Sequence, residues 1–259
     1  MPTLPIDFDS MTIFAELTLT DWTWLLLSAL LFGMAKAGIS GIGTLAVPVM
    51  AAAFGGKASA GLVLPMLIIA DTIAVTYYNR HALWSYIWQL LPAAVVGILV
   101  GLVVGYWVSD HIFTNLIAII VFSSLALMIW QEVKGLSARL TGNRFFSITF
   151  GLLGGFSTMI GNAAGPVMNV YLLSIRLPKS HFIGTGAWYY FIINLIKLPF
   201  NIWVWKTITV HSLLIDAAVI PAIVLGAFIG VHLVKVIPEK VFRYFIIVAT
   251  FLASLRLIW

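Results

Sequence analysis

Gly33-Met34-Ala35-Lys36-Ala37-Gly38-Ile39-Ser40-Gly41-Ile42-Gly43-Thr44, followed by Pro48, cannot be the middle of one straight helix. A second stretch of the same kind runs from Gly151 to Pro166 and contains Gly154-Gly155-Phe156-Ser157-Thr158-Met159-Ile160-Gly161-Asn162-Ala163-Ala164-Gly165. Both sit inside apolar blocks, 22–55 and 145–174, that exceed the roughly 20 residues one helix needs to cross hydrocarbon. Glycine frees the backbone to turn, and proline removes a donor from the helix ladder. Each block therefore reads as a broken hairpin of two short helices. The other apolar blocks, 58–79, 83–108, 112–131, 182–204, 210–234 and 241–259, each fit one spanning helix.

Composition agrees. Of 259 residues, 62% are hydrophobic and 9% charged, with a mean hydropathy of +1.08. Soluble domains carry about 25% charged residues. So few charges cannot cover a water-facing surface, and most of the exterior must face lipid. The 14% aromatic content excludes a disordered chain. The net charge of +5 comes from single basic residues scattered between apolar blocks, which make no nucleic-acid stripe. Cysteine is absent, and the five histidines lack H-x-x-x-H spacing, so neither a metal nor a cofactor is expected. The N-terminus is acidic (Asp7, Asp9, Glu16, Asp21) and does not resemble a cleaved signal peptide.

The chain repeats itself. At an offset of 129, residues 92–130 fall on 221–259 without a gap and share Pro92/Pro221, Gly97/Gly226, Gly101/Gly230 and Trp130/Trp259. At an offset of 118, Phe32-Gly33 meets Phe150-Gly151 and Pro48-Val49-Met50 meets Pro166-Val167-Met168. The expected halves are 1–133 and 145–259, joined by a linker at 134–144. Lys134, Arg139 and Arg144 put that linker in the cytoplasm, as Lys235, Lys240 and Arg243 do for the last loop, whereas 108–114 has no Lys or Arg. Two spans, 182–204 and 210–234, separate the two basic loops, so 145–174 must return to the side it left. The same logic puts the N-terminus outside, with Lys57 and Lys206 outside as a small cost. The expected fold is all-α and polytopic. It has two inverted-topology repeats, each a broken or re-entrant hairpin plus three transmembrane helices, a recurring plan of secondary transporters.

Two sets of residues could carry chemistry. In the hairpins, Gly38, Gly41, Gly43, Gly161 and Gly165 allow close approach, and Ser40, Thr44, Ser157, Thr158 and Asn162 are suited to cap a restarted half-helix. Two half-helix N-termini facing each other offer N–H donors and positive dipole to an anion. The bland alternative is close helix packing through small residues. The second set is Lys36, Asp71 and Lys197, with Asn194 one turn before Lys197. A charge at a helix centre costs about 2.5–3.5 kcal/mol on insertion scales. These residues read as a cavity with surplus positive charge, or as a structural pair with Lys197 snorkelling to an interface. Asp71 reads as the only acid deep in an apolar block. The tryptophans cluster near block ends as an interfacial belt, while Trp188, Tyr189 and Tyr190 lie deeper and could line a pathway.

These stretches resemble the TauE/SafE family of sulfite and organosulfonate exporters. The resemblance lies in Gly33-x-x-Lys36-x-Gly38-x-x-Gly41-x-Gly43, Phe54-Gly55-Gly56-Lys57-Ala58, Ala70-Asp71 and Tyr78-x-Arg80-His81. It continues in Gly161-x-x-x-Gly165-Pro166, Leu177-Pro178-Lys179, Gly184-Thr185 and Asn194-x-x-Lys197. The resemblance implies an all-helical transporter moving small sulfur-containing or related organic anions outward, and a homodimer. The absence of cysteine speaks against any thiolate relay of substrate.

The expectation is a multi-pass cell-membrane protein, of a bacterial inner membrane, that carries a small anion between its two hairpins. No G-x-x-x-x-G-K-[ST] nucleotide site is present, so a proton, a sodium ion or the substrate's own gradient must drive it. An anion channel on the same scaffold is the alternative. An enzyme is not expected, since no Ser–His, paired-Asp or metal constellation occurs.

Overall fold

The protein is described by a computed structural model covering residues 17–39, 42–134, 144–175 and 177–236, with Tyr244, Val248, Phe251 and Leu252. Among these residues all regular structure is helical. The elements are α1 (Leu19–Lys36), α2 (Gly43–Phe54), α3 (Gly56–Tyr78), α4 (Trp84–Trp107), α5 (Asp110–Lys134), α6 (Arg144–Gly161), α7 (Gly165–Ser174), α8 (Lys179–Pro199) and α9 (Val210–Val236). A 3-10 turn at Asn79–His81 precedes α4, and α8 runs into a π-helical turn at Phe200–Val204. Each of the two long blocks is thus a pair of helices, α1–α2 and α6–α7. Most of block 241–259 lies outside the described residues.

Among the described residues, four helices are long and apolar enough to cross a membrane: α3, α4, α5 over Asp110–Leu127 and α9 over Val210–Leu233. Trp84, Trp88, Trp107 and Trp203 are exposed, as an interfacial belt requires. This is an all-α polytopic membrane protein. Trp205 departs from the belt: it packs against Phe113 with ring centroids 5.4 Å apart and donates from Nε1 to the Leu102 carbonyl. α8 is not among the four; its polar residues Thr185, Asn194 and Lys197 are all buried.

The helix ends have local causes. Thr18 and Asp21 form a capping box at α1: Thr18 Oγ1 accepts from the Asp21 N–H, and the Asp21 carboxylate accepts from the Thr18 N–H. At α3 the cap comes from another helix. The carboxylate of Asp110, first residue of α5, accepts from the N–H groups of Gly56 and Lys57 at 3.2 and 2.8 Å. One acid thus complements the positive ends of two helices.

The two halves of the chain interlock. α1 lies along α9, α4 along α6, and α3 crosses α8. The first two contacts are made backbone to backbone, because glycine lets the helices touch. A β-carbon on Gly97 would overlap the Leu152 carbonyl oxygen, and one on Gly226 would overlap that of Leu30. The register advances in the same sense on both members of each pair (Gly101 faces Met159, Gly230 faces Ala37), so both pairs run parallel.

These contacts also shift the internal alignment. Gly33 abuts the Ile223 carbonyl as Gly155 abuts that of Ala94, and Ala94 and Ile223 correspond at the 129 offset. Gly33 therefore matches Gly155, one helical turn beyond the Gly151 that the sequence offset of 118 pairs with it. α2 and α7 then start at matching glycines, Gly43 and Gly165, and Lys36 matches Thr158. An apolar alphabet allows several near-equal registers, and the backbone overlap selects one.

Candidate functional site

The breaks form where a left-handed residue ends the first helix of each pair. Gly38 has φ +117° after α1, and Asn162 has φ +52° after α6. Left-handed glycine or asparagine at that position is the usual way to stop a helix. Asn162 was expected to cap the start of a half-helix and instead terminates one. Ser157 and Thr158, expected in the same role, lie within α6. The N-cap of α2 is Ile42, with no side-chain hydrogen bond.

Between the breaks lies a cavity of about 100 Å³, bounded by both hairpins and by α3 and α8. A water needs only about 10–15 Å³ by the same measure, so several waters or one small anion fit. Of the residues singled out from sequence, Lys36, Gly38, Gly43, Thr44, Thr158, Asn162, Gly165 and Asn194 line it. A β-carbon on Gly165 would meet nothing within 4 Å, so the start of α7 opens directly on the space. Phe32, Leu67, Leu172 and Ile183 supply apolar wall.

Behind that wall runs a continuous polar chain. Lys36 Nζ lies 2.7 Å from Asp71 Oδ1, an ion pair without well-aligned hydrogen-bond geometry. Asn194 Nδ2 donates to Asp71 Oδ2 at 2.7 Å, and Asn194 Oδ1 accepts from Lys197 Nζ at 3.1 Å. Lys197 Nζ donates also to Thr158 Oγ1 at 3.0 Å and to Asn162 Oδ1 at 2.6 Å. Asn162 Nδ2 donates on to the Ala60 carbonyl. The chain joins α1, α3, α8 and α6. Lys36 also stands 4.0 Å over the ring of Tyr190, within cation–π range.

The charge count is uneven. Lys197 is 1% exposed, and its three ammonium donors meet three neutral oxygens. Asp71, 0% exposed, is the carboxylate of this network among the described residues and is already paired with Lys36. Lys197 does not snorkel to an interface.

Four expected residues do not line the cavity, Lys197 among them, which stands behind it. Ser157 is buried and donates to the Gly154 carbonyl of its own helix, away from the cavity. Gly161 faces Ile117 of α5. Asp71 contacts the cavity only through Lys36 and Asn194. Ser40 and Gly41 lie outside the described residues. Two further lining residues carry polar groups: Tyr190, which the sequence places deep and able to line a pathway, and Asn169, one turn after Gly165. A polar residue four positions past the hairpin glycine was the available signal for Asn169. Of its neighbours, Tyr189 is core and Trp188 packs on Trp84.

A second buried acid corrects the reading of Asp71 as the only one. Asp216 in α9 is 2% exposed, and neither of its oxygens has a partner. Six residues from the start of an apolar helix, it passes in sequence for an interfacial residue.

The family profile described as Sulfite exporter TauE/SafE matches residues 25–257. No curated protein and no solved structure matches the chain. That profile describes membrane exporters, not enzymes, and it spans both hairpins, the lysine–aspartate chain and the paired helices. The chain belongs to the TauE/SafE sulfite exporter family of membrane transporters.

Proposed function

We propose that this protein is a secondary carrier of the cell membrane that exports a small anion, such as sulfite, an organosulfonate or a related organic anion. The anion binds in the cavity between the two hairpins. One observation carries the reading: Lys36 lines the cavity paired with Asp71, and Lys197 behind it donates to three neutral oxygens, so the network holds more basic than acidic groups and presents donors to an anion. The first N–H groups of α2 and α7, beside Gly43 and Gly165, add donors and positive dipole from two sides. Lys36, Thr44, Thr158, Asn162 and Asn194 supply side-chain contacts, and Asp71 and Lys197 hold them from behind.

Inverted repeats, 1–133 and 145–259 around a cytoplasmic linker, fit this role. The parallel pairing of α1 with α9 and of α4 with α6 supports them, since the positive-inside assignment sends both members of each pair in the same direction. Alternating access then rocks one set of helices against the other around the fixed site. A proton or sodium gradient drives the cycle, and two copies associate as in the family resemblance. The chain catalyses no chemical reaction.

The test is sulfite efflux from liposomes containing the purified protein, beside the double variant Lys36→Met, Asp71→Asn, which removes the cavity ammonium without leaving a buried carboxylate unpaired. Losing a charge-assisted hydrogen bond costs about 1.5–3 kcal/mol, so the apparent KM is expected to rise roughly ten- to a hundredfold. Wild type should also show sulfite counterflow, which a channel would not. Efflux unchanged in the variant would move the anion toward Lys197. No efflux by wild type would remove sulfite as substrate.

A further inference from the structure

We infer that Asp216 is a proton-binding site that couples the carrier to a proton gradient. Among the described residues it is the buried ionisable group that the anion site does not explain. Both its oxygens lack a donor, and along its face of α9 it is flanked by buried Ser212, Ile215 and Val219. An ionised carboxylate in such a place has no partner to offset its lost hydration. The group therefore holds a proton in this state, and a proton lost from it must be met by water or by a shift of the helix.

Other cations do not fit. Sodium needs several oxygens converging on it, and among the described residues no group of three or more acidic or histidine side chains gathers to hold a metal ion. The titratable groups on the two helices packed against α9 are otherwise engaged or outward. On α1, Asp21 caps the helix and Lys36 pairs with Asp71. On α3, Lys57 donates to the Val108 carbonyl, Tyr78 donates to that of Ala37, and Tyr77 is exposed. On α9 itself His232 is exposed, and His211, half-buried, lies near the helix start.

Thr209, Ser212 and Asp216 follow at three- and four-residue steps, so they share one face from the α9 start inward. Thr209 and Ser212 exchange reciprocal side-chain bonds there. Beyond Asp216 that face becomes the seam against α1, where Gly226 and Gly230 touch the backbone of Leu30 and Met34. α1 carries a second unpartnered buried polar atom, Ser28 Oγ, two turns before Lys36. Helices in backbone contact move as a unit, so a shift of α9 on deprotonation is passed to the helix that ends at the anion site.

The coupling role rests on the carrier reading; the protonation does not, and the experiment separates them. Infrared spectra of the purified, substrate-free protein in detergent should show a protonated-carboxyl band near neutral pH that is missing in Asp216→Asn. Asp216→Leu serves as a second variant, because an apolar side chain suits the site and preserves folding. Identical spectra for wild type and both variants overturn the proposal. In liposomes loaded with a pH-sensitive dye, wild type should move protons with sulfite. The variants should keep sulfite–sulfite exchange and lose accumulation driven by a pH gradient. Proton movement unchanged in the variants, or drive by sodium alone, overturns the coupling. Silence of wild type toward sulfite defeats the carrier reading for that anion, and the infrared result still decides Asp216.

Discussion

Asp71→Ala is expected to destabilise the protein by about 3–5 kcal/mol, enough to abolish folding of most molecules in detergent. The side chain is fully buried and holds two partners, Lys36 Nζ and Asn194 Nδ2, each at 2.7 Å. Removing it leaves Lys36 facing an apolar wall without a counter-charge and Asn194 with an orphaned donor. The loss spreads further, because Asn194 Oδ1 is one of the three acceptors of Lys197. The measurement is the yield of monodisperse protein by size exclusion, with thermal unfolding followed by tryptophan fluorescence. The double variant Lys36→Met, Asp71→Asn removes both charges at once and should recover most of the stability, since a buried pair exchanged for neutral groups is often tolerated. It should not recover sulfite efflux. A double variant that folds and transports like wild type would show that the pair is structural and that the anion sits elsewhere.

The second large effect is mechanical. Gly97→Leu and Gly226→Leu are expected to prevent assembly of the helix pairs, and even alanine at either position should cost about 1–3 kcal/mol. The obstacle at each is a backbone carbonyl, of Leu152 and of Leu30, which cannot rotate away as a side chain could. Gly165→Ala adds the same methyl where nothing stands within 4 Å. Its thermal midpoint should match wild type, while sulfite efflux falls because the methyl enters the cavity. Equal unfolding temperatures for Gly97→Ala and Gly165→Ala would contradict the packing described for α4 and α6.

The membrane class, the seven apolar blocks up to residue 234 and the two broken hairpins were legible from the chain alone, because hydrophobic length and glycine or proline interruptions are local properties. Lys36, Asp71 and Lys197 were legible for a related reason: a charge inside an apolar block is conspicuous wherever its helix turns. The direction of a side chain is not local. Ser157 and Thr158 are neighbours in α6, yet one turns back on its own helix and the other accepts from Lys197, because adjacent helical residues point about 100° apart. Gly161 faces α5 for the same reason, and Asn169 and Tyr190 reach the cavity through helix rotation that no periodicity in an all-apolar segment reveals. Only the packing of α1 on α9 and of α4 on α6 put Gly33 and Gly155 in like contacts, against the carbonyls of Ile223 and Ala94, since several apolar registers are nearly equal until backbone overlap is counted. Only the tertiary structure, too, gave Asp71 one lysine and one asparagine, left Lys197 among neutral oxygens and closed the core around Asp216. Those outcomes depend on which helices meet and at what angle, and a buried charge acquires its meaning from the partners that arrive from elsewhere in the chain.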